Sequence, residues 1–265
     1  MKKAVQRFYI GLIFLFLYAP ILLLIAFSFN ESKSRSNFTG FTFDWYVELF
    51  QDELIMTSLM NTLVIAVISS VIATVIGTAA AIGISNMRKR ARNLVMNISY
   101  TQIVSPEIVT GVSLMLLFVF MKDSIGLEFG FITILIAHIT FNLPYVVLNV
   151  MPKLRQMDNS LYEAAQDLGC SPIRAFFKVV IPEIMPGIIS GFMMAFTLSL
   201  DDFVISYFTS GSSFQTLPIT IYSMTKKRVS PKINALSAIL FVVVLVGLIL
   251  VNIKDSRDAK KKITK

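Results

Sequence analysis

Apolar residues along this chain gather into six blocks of about 20 residues, the length at which an α-helix rising 1.5 Å per residue crosses ~30 Å of hydrocarbon. The blocks are Phe8–Phe29, Leu59–Ile84, Leu94–Met121, Phe129–Met151, Ile184–Ser210 and Ile233–Ile253. Each predicts a membrane-spanning helix, so the fold class expected is an all-α integral membrane protein in one domain, residues 1–265. A polar stretch separates the fourth and fifth blocks, residues 152–183, and most of it reads EAAQDLGCSPIRAFFKVVIPEI from Glu163. Ser160 with Glu163 three residues on predicts a capping box, Leu161, Ala164, Ala165 and Leu168 share one helix face, and Gly169 can end the helix in the left-handed region. Ser171 then caps a second helix with Pro172 at its first position, and Ile173, Phe176, Phe177 and Val180 recur at helical spacing. Two short helices joined at Gly169 are therefore expected in water, with a small-residue face that suits a protein groove better than acyl chains.

Composition agrees with the pattern. The 265 residues are 55% hydrophobic and 15% charged, with a mean hydropathy of +0.72, too apolar for a water-facing globule. The first block follows Lys2, Lys3 and Arg7, as in a signal peptide. Its apolar run is longer than an h-region and no A-x-A-like cleavage site follows, so a retained span is expected.

Charge gives an orientation, because Lys and Arg near span ends stay in the cytoplasm. With the N-terminus inside, the inner segments hold Lys2, Lys3, Arg7, then Arg88, Lys89, Arg90, Arg92, then Lys153, Arg155, Arg174, Lys178, then Lys254, Arg257, Lys260, Lys261, Lys262 and Lys265. These make up most of the 24 basic residues. Four of the remainder, between Lys226 and Lys232, are the one blemish. Both termini are thus expected in the cytoplasm of a multi-pass cell-membrane protein, and the net charge of +8 reflects topology. Nucleic acid is excluded as a partner, since the basic residues form no recognition element.

Absences narrow the chemistry. Cys170 is the single cysteine and His138 the single histidine, so neither an intrachain disulfide nor a His/Cys metal cluster is expected. His138 lies in an apolar run and reads as a packed or backbone-bonded side chain. No G-x-x-x-x-G-K-[ST] is present and no Ser/His/Asp or Cys/His arrangement can be assembled, so the chain is expected to be no enzyme and to borrow its energy. No inverted repeat of the kind common in secondary transporters is visible.

Carboxylates inside spans carry more information, since each is costly unless it faces protein, water or a counter-charge. Glu107 follows Pro106 in SPEIVTG, where proline removes a backbone hydrogen bond and Gly111 invites close packing or a break. Asp201 and Asp202 lie late in the fifth span. With no Lys or Arg embedded in the spans, these three suit a cationic cargo. As neighbours, Asp201 and Asp202 cannot share one helix face. Trp45 and Tyr46, in FTFDWYVELF, read as part of an interfacial aromatic belt, or alternatively as a π-face for an ammonium group. Gly187 and Gly191 form G-x-x-x-G, and Gly77 and Gly83 flank Ala79 to Ala81, both small-residue strips that let helices approach.

The polar passage resembles the EAA motif of the permease subunits of ATP-binding-cassette importers: E-A-A, three residues, G, nine residues, then I-x-L-P. Here it reads Glu163-Ala164-Ala165, Gly169, then Val179-Val180-Ile181-Pro182, with Val179 for Ile and Ile181 for Leu. SLDDFVISYFTSG from Ser199 is similar to the polyamine permeases, in particular the PotC-type subunits of spermidine/putrescine importers. The resemblance implies a type I, MetI-like architecture of six transmembrane helices with a cytoplasmic coupling helix. Glu163, Ala164, Ala165, Asp167 and Gly169 would form that helix and dock on a separate ATPase. Glu107, Asp201, Asp202, Trp45 and Tyr46 are the residues expected along the substrate pathway, and span five is the expected seam with a second, non-identical permease. Two ATPase copies, which would bind the ATP and Mg, an extracytoplasmic polyamine-binding protein and membrane lipid complete the implied partners. Two alternatives stand beside this reading: a related importer of another small cationic or organic solute, and a membrane scaffold or sensor.

Overall fold

The computed structural model describes residues 2–32, 37–227, 230–243, 245 and 246. The described residues are mostly helical, and their only extended pairing is an isolated antiparallel bridge between Asn30 and Phe41. In chain order the helices are α1 (Lys2–Ser28), α2 (Asp44–Phe50), α3 (Glu53–Ser85), α4 (Lys89–Val104), α5 (Glu107–Ile125), α6 (Phe131–Gln156), α7 (Asn159–Asp167), α8 (Pro172–Ala175), a π-helical turn (Phe176–Val180), α9 (Ile181–Asp201), α10 (Val204–Thr209), α11 (Leu217–Lys227) and α12 (Pro231–Val243). Among the described residues, five helical stretches are long and apolar enough to cross a membrane: Val5–Ser28, Glu53–Ser85, Glu107–Ile125, Phe131–Gln156 and Pro172–Asp201. The sixth expected span shows as the shorter α12. Its last residues, and the basic tail from Lys254 to Lys265, lie outside the described residues.

Three expectations are corrected. The third apolar block is broken at Ser105-Pro106, where Ser105 turns extended (φ −66°, ψ 138°). Proline has no N–H to give the carbonyl of Gln102 and disfavours helical backbone at the residue before it, so the span begins afresh at Glu107. The helix after Gly169 is no separate element, because α8, the π-turn and α9 run on from Pro172 to Asp201. Pro182 cannot donate to the carbonyl of Lys178, and the wider π-turn absorbs that defect without a break. Finally, α7 is capped by Asp158, whose carboxylate accepts from Ser160 N–H at 3.0 Å, and not by Ser160. The helix starts two residues earlier than the Ser160/Glu163 spacing suggests because aspartate is as good a cap as serine.

The chain divides into two compact units, one of residues 1–56 with 221–265, the other of residues 57–220. In the first, Asn30 organises the segment after α1: its Nδ2 donates to the Asn37 carbonyl at 2.9 Å, its Oδ1 accepts from Thr39 N–H at 3.0 Å, and its carbonyl accepts from Trp45 Nε1 at 2.7 Å. Phe29 stacks on Phe41 with ring centroids 5.0 Å apart. Lys232, one of the basic residues that broke the charge rule, reaches Glu48 at 3.3 Å and Asp52 at 3.4 Å.

In the second unit, α6 is the central helix. Val146, Val147, Val150 and Met151 of α6 pack with Ala73, Ala81 and Ile84 of α3 and with Ile184 and Ala195 of α9 into one buried cluster. Glycines let the three helices close. A Cβ on Gly191 would lie 3.3 Å from the Cα of Val146, and one on Gly187 would lie 2.9 Å from the Asn149 carbonyl. The G-x-x-x-G of span five therefore seats α6 of its own chain, which corrects the expectation that this strip is the seam with another permease. Gly111 packs as expected, against Phe208 of α10. Pro144 in the middle of α6 cannot donate to the Thr140 carbonyl, and Gln102 Nε2 supplies a replacement donor at 3.4 Å.

Candidate functional site

Both helix breaks of the second unit line one cavity of about 440 Å³. On one side stand Gln102, Ser105, Pro106 and Glu107 from the α4–α5 break, and on the other Asp201, Asp202 and Phe203 from the α9–α10 break, with Phe141 and Tyr145 of α6 between them. The second break has its own local cause. Asp202 leaves the helical region (φ −63°, ψ 118°), and its carboxylate accepts from Ile205 N–H at 3.2 Å and Ser206 N–H at 2.7 Å. It thus satisfies two of the orphan donors of α10 and makes restarting the helix cheaper than continuing it. Irregular backbone at membrane depth is tolerated where it lines a cavity in this way.

The three candidate carboxylates therefore share one cavity but not one role. Asp202 is committed to structure: its side chain is 5% exposed and its Oδ2 lies 3.5 Å from His138 Nε2. That nitrogen is also 3.0 Å from Ser206 Oγ, and the buried His138 ring meets Phe141 edge to face at 5.4 Å. His138 is packed, as expected, but its partners are side chains of α10 and the α9 break rather than backbone. Glu107 and Asp201 are exposed at the cavity, and neither forms a salt bridge among the described residues. Among the described residues no Lys or Arg lines the cavity, while Phe141, Tyr145 and Phe203 add aromatic rings. Such a chamber offers an organic cation two carboxylates and ring faces, and offers an anion no positive charge.

Trp45 and Tyr46 belong to the other unit. Trp45 is 6% exposed with its N–H given to Asn30, and the Tyr46 hydroxyl is 2.7 Å from Ser28 Oγ. Both anchor α2 to the segment after α1.

The α7 region is built as a projecting element. After Asp167 the chain turns at Gly169 with φ +86°, and Cys170 N–H reaches back to the Ala165 carbonyl at 3.0 Å, so glycine occupies the left-handed position at the helix end. Ser171 Oγ then accepts from Arg174 N–H at 3.4 Å. Glu163, Ala164, Asp167 and Gly169 are exposed and Ala165 half-buried, and the apolar Leu168 and Ile173 stand 87% and 73% exposed beside them. Ser160 N–H holds the Asp158 carboxyl below the usual carboxylate range.

Sequence reasoning missed His138, Ser206, Tyr145 and Gln102 as builders of the cavity. An Asp followed four residues later by a Ser, next to a run that restarts, was the available trace of the α10 cap.

The model of the binding-protein-dependent transport system inner membrane component matches residues 73–257. This chain belongs to that family. Among its relatives, the putrescine transport system permease protein PotI of Escherichia coli (strain K12) is 42% identical over 240 residues, covering 89% of this chain and 85% of that protein. The spermidine/putrescine transport system permease protein PotC of the same strain is 38% identical over 237 residues, covering 89% and 88%. A crystal structure of a bacterial ABC transporter involved in the import of the acidic polysaccharide alginate shares the fold, with a TM-score of 0.70 at 16% identity over 96% of this chain and 95% of that one. The chain is thus a multi-pass membrane component of a binding-protein-dependent transport system.

Proposed function

We propose that this chain is the permease subunit of an ATP-driven polyamine importer, forming with a second, non-identical permease the pathway for spermidine or putrescine. The observation that carries the reading is the cavity between the two helix breaks, where, among the described residues, Glu107 and Asp201 form no salt bridge and no basic side chain joins the aromatic rings of the lining. The relatives named for putrescine and spermidine/putrescine transport support the same cargo. A polyamine is ammonium groups joined by methylenes. Its charges, on leaving water, need carboxylates or ring faces, and its stems need apolar walls. Asp202 serves by holding α10, and so Asp201, in place. Trp45 and Tyr46 are given a structural role in this reading, on their hydrogen bonds to the Asn30 carbonyl and to Ser28.

In this proposal the chain is a single permease domain of six spans with both termini in the cytoplasm. The α7 segment from Glu163 to Gly169 is the coupling helix, and its exposed Ala164, Leu168 and Ile173 enter a groove on one of two ATPase copies. ATP and Mg are held by those partners, since the chain has no phosphate-binding loop. An extracytoplasmic binding protein delivers the cargo. The test is uptake of radiolabelled spermidine and putrescine in cells lacking other polyamine importers. Glu107→Gln and Asp201→Asn keep shape and remove charge. At least one should lower uptake about tenfold, ~1.4 kcal/mol, at unchanged membrane level. Unaltered uptake of both polyamines in both variants would overturn the assignment.

A further inference from the structure

A second and larger cavity, about 540 Å³, lies where α3 and α6 end and α4 begins, beneath α7. Its charged lining is Arg92 of α4, Arg155 near the end of α6 and Glu163 of α7, with the Tyr162 hydroxyl beside them. Two guanidiniums against one carboxylate leave a surplus of one positive charge. Neither arginine forms a salt bridge among the described residues, with Glu163 or any other group. Arg92 Nε is in addition buried without a hydrogen-bond partner. A buried guanidinium N–H left in that state is costly unless an acceptor from outside the chain fills it.

The neighbouring space says what kind of acceptor. A smaller cavity of about 210 Å³ adjoins the first, sharing Met151 and Arg155 with it. It is lined further along α4 and α6 by Met96, Tyr100, Leu148 and Pro152. Arg155 thus stands where the larger chamber meets a narrower groove of mixed lining, which Gln156 completes, near the C-terminal end of α6. We propose that the pair of cavities binds an anionic phospholipid, its phosphate on Arg92 and Arg155 and its glycerol and upper acyl chain in the groove beside Leu148. The guanidinium fork matches a phosphodiester in geometry, and the surplus charge matches its single negative charge. A soluble phosphate shares the headgroup chemistry but leaves the groove unused. Because Tyr162 and Glu163 belong to α7, a lipid held here ties that helix to the membrane surface.

The test is native mass spectrometry of the full-length chain in detergent, supplied with dioleoylphosphatidylglycerol or dioleoylphosphatidylcholine. One phosphatidylglycerol per chain should survive in preference to phosphatidylcholine. Arg92→Gln and Arg155→Gln should each lower its retention about fivefold, while Arg88→Gln, an equal charge change outside the cavity, should leave it unchanged. Should Arg155→Gln elute aggregated, Arg155→Lys keeps the charge without the fork and should still lose retention. The proposal is overturned if Arg88→Gln reduces retention as much as the cavity variants. It is also overturned if inorganic phosphate at about 10 mM displaces the lipid, which would make a soluble anion the ligand.

Discussion

A Cβ on Gly77 would come within 2.7 Å of Cγ1 of Val146. Val146 is fully buried, with Gly77 of α3 against it on one side and Gly191 of α9 on the other, so three helix backbones meet around a single branched side chain. In lipid, where apolar surface gains little by leaving its surroundings, such close approach is what holds helices together.

Substitution at these glycines should follow the space each one has. Gly187→Ala drives a methyl to 2.9 Å from the Asn149 carbonyl and 3.2 Å from the Val150 Cα, backbone atoms that cannot step aside, and should cost about 1–3 kcal/mol. Gly83→Ala meets nothing within 4 Å and should be neutral or gain up to ~1 kcal/mol of helix propensity. Unfolding of the two purified variants in a detergent titration measures the difference. Equal midpoints would mean that the α6–α9 contact is looser than its geometry. Gly191→Leu should act the same way, lowering the yield of folded chain rather than selectively losing a partner permease.

Neighbouring aspartates should separate stability from transport. Asp202→Ala removes the acceptor for Ile205 and Ser206 N–H and the partner of His138, a loss on the order of 3 kcal/mol. Asp201→Ala removes an exposed carboxylate and should leave the unfolding midpoint within about 0.5 kcal/mol of the parent while lowering uptake. A stability loss at Asp201 as large as at Asp202 would contradict the division of roles.

Gly169→Val places a β-branched residue at φ +86°, a backbone region closed to it. The chain should still insert and assemble, since nothing within 4 Å meets a Cβ there. Stimulation of the partner ATPase by cargo should fall about tenfold. Normal stimulation in the reconstituted complex would remove α7 from the coupling path.

The cap of α7 should depend on pH. Asp158 is held below the ordinary carboxylate range by Ser160 N–H, so its folded pKa lies under the unfolded one. Its contribution is therefore present in full above the unfolded value and is lost as the pH falls through the lowered folded value. Amide exchange at Ser160, corrected for its intrinsic pH dependence, should be slow at neutral pH and lose that protection only in strong acid. Asp158→Ala should show the fast rate at every pH.

Spans were legible wherever apolar length alone decides the outcome, as in Glu53–Ser85 and Phe131–Gln156. They were misread where one residue interrupts an apolar run. Pro106 ends a helix by its missing N–H, yet Pro182 in a similar setting is absorbed by a π-turn, and no local pattern distinguishes the two because surrounding packing makes the choice. The cavity was half legible. Glu107, Asp201 and Asp202 stand out as charges in apolar runs, but their meeting depends on α5 packing against α10, with Gly111 on Phe208, and the pairing of Asp202 with His138 joins residues 64 positions apart in the chain. The glycine strips declared close packing without naming the partner, since spacing fixes a face and not what covers it.

The unbroken helix from Pro172 to Asp201 has a mechanical meaning. Thirty residues at 1.5 Å each make a strut about 45 Å long, with the Gly169 turn at one end and a cavity carboxylate at the other. The π-turn takes up the donor that Pro182 lacks, and the helix continues through Pro186 as well, so neither proline ends the strut. In the coupling role proposed above, a displacement delivered at the foot would reach Asp201 along one continuous helix. Any substitution that softens residues 176–180 should leave both ends chemically intact and still break the link between them, so that fuel is consumed without cargo being moved.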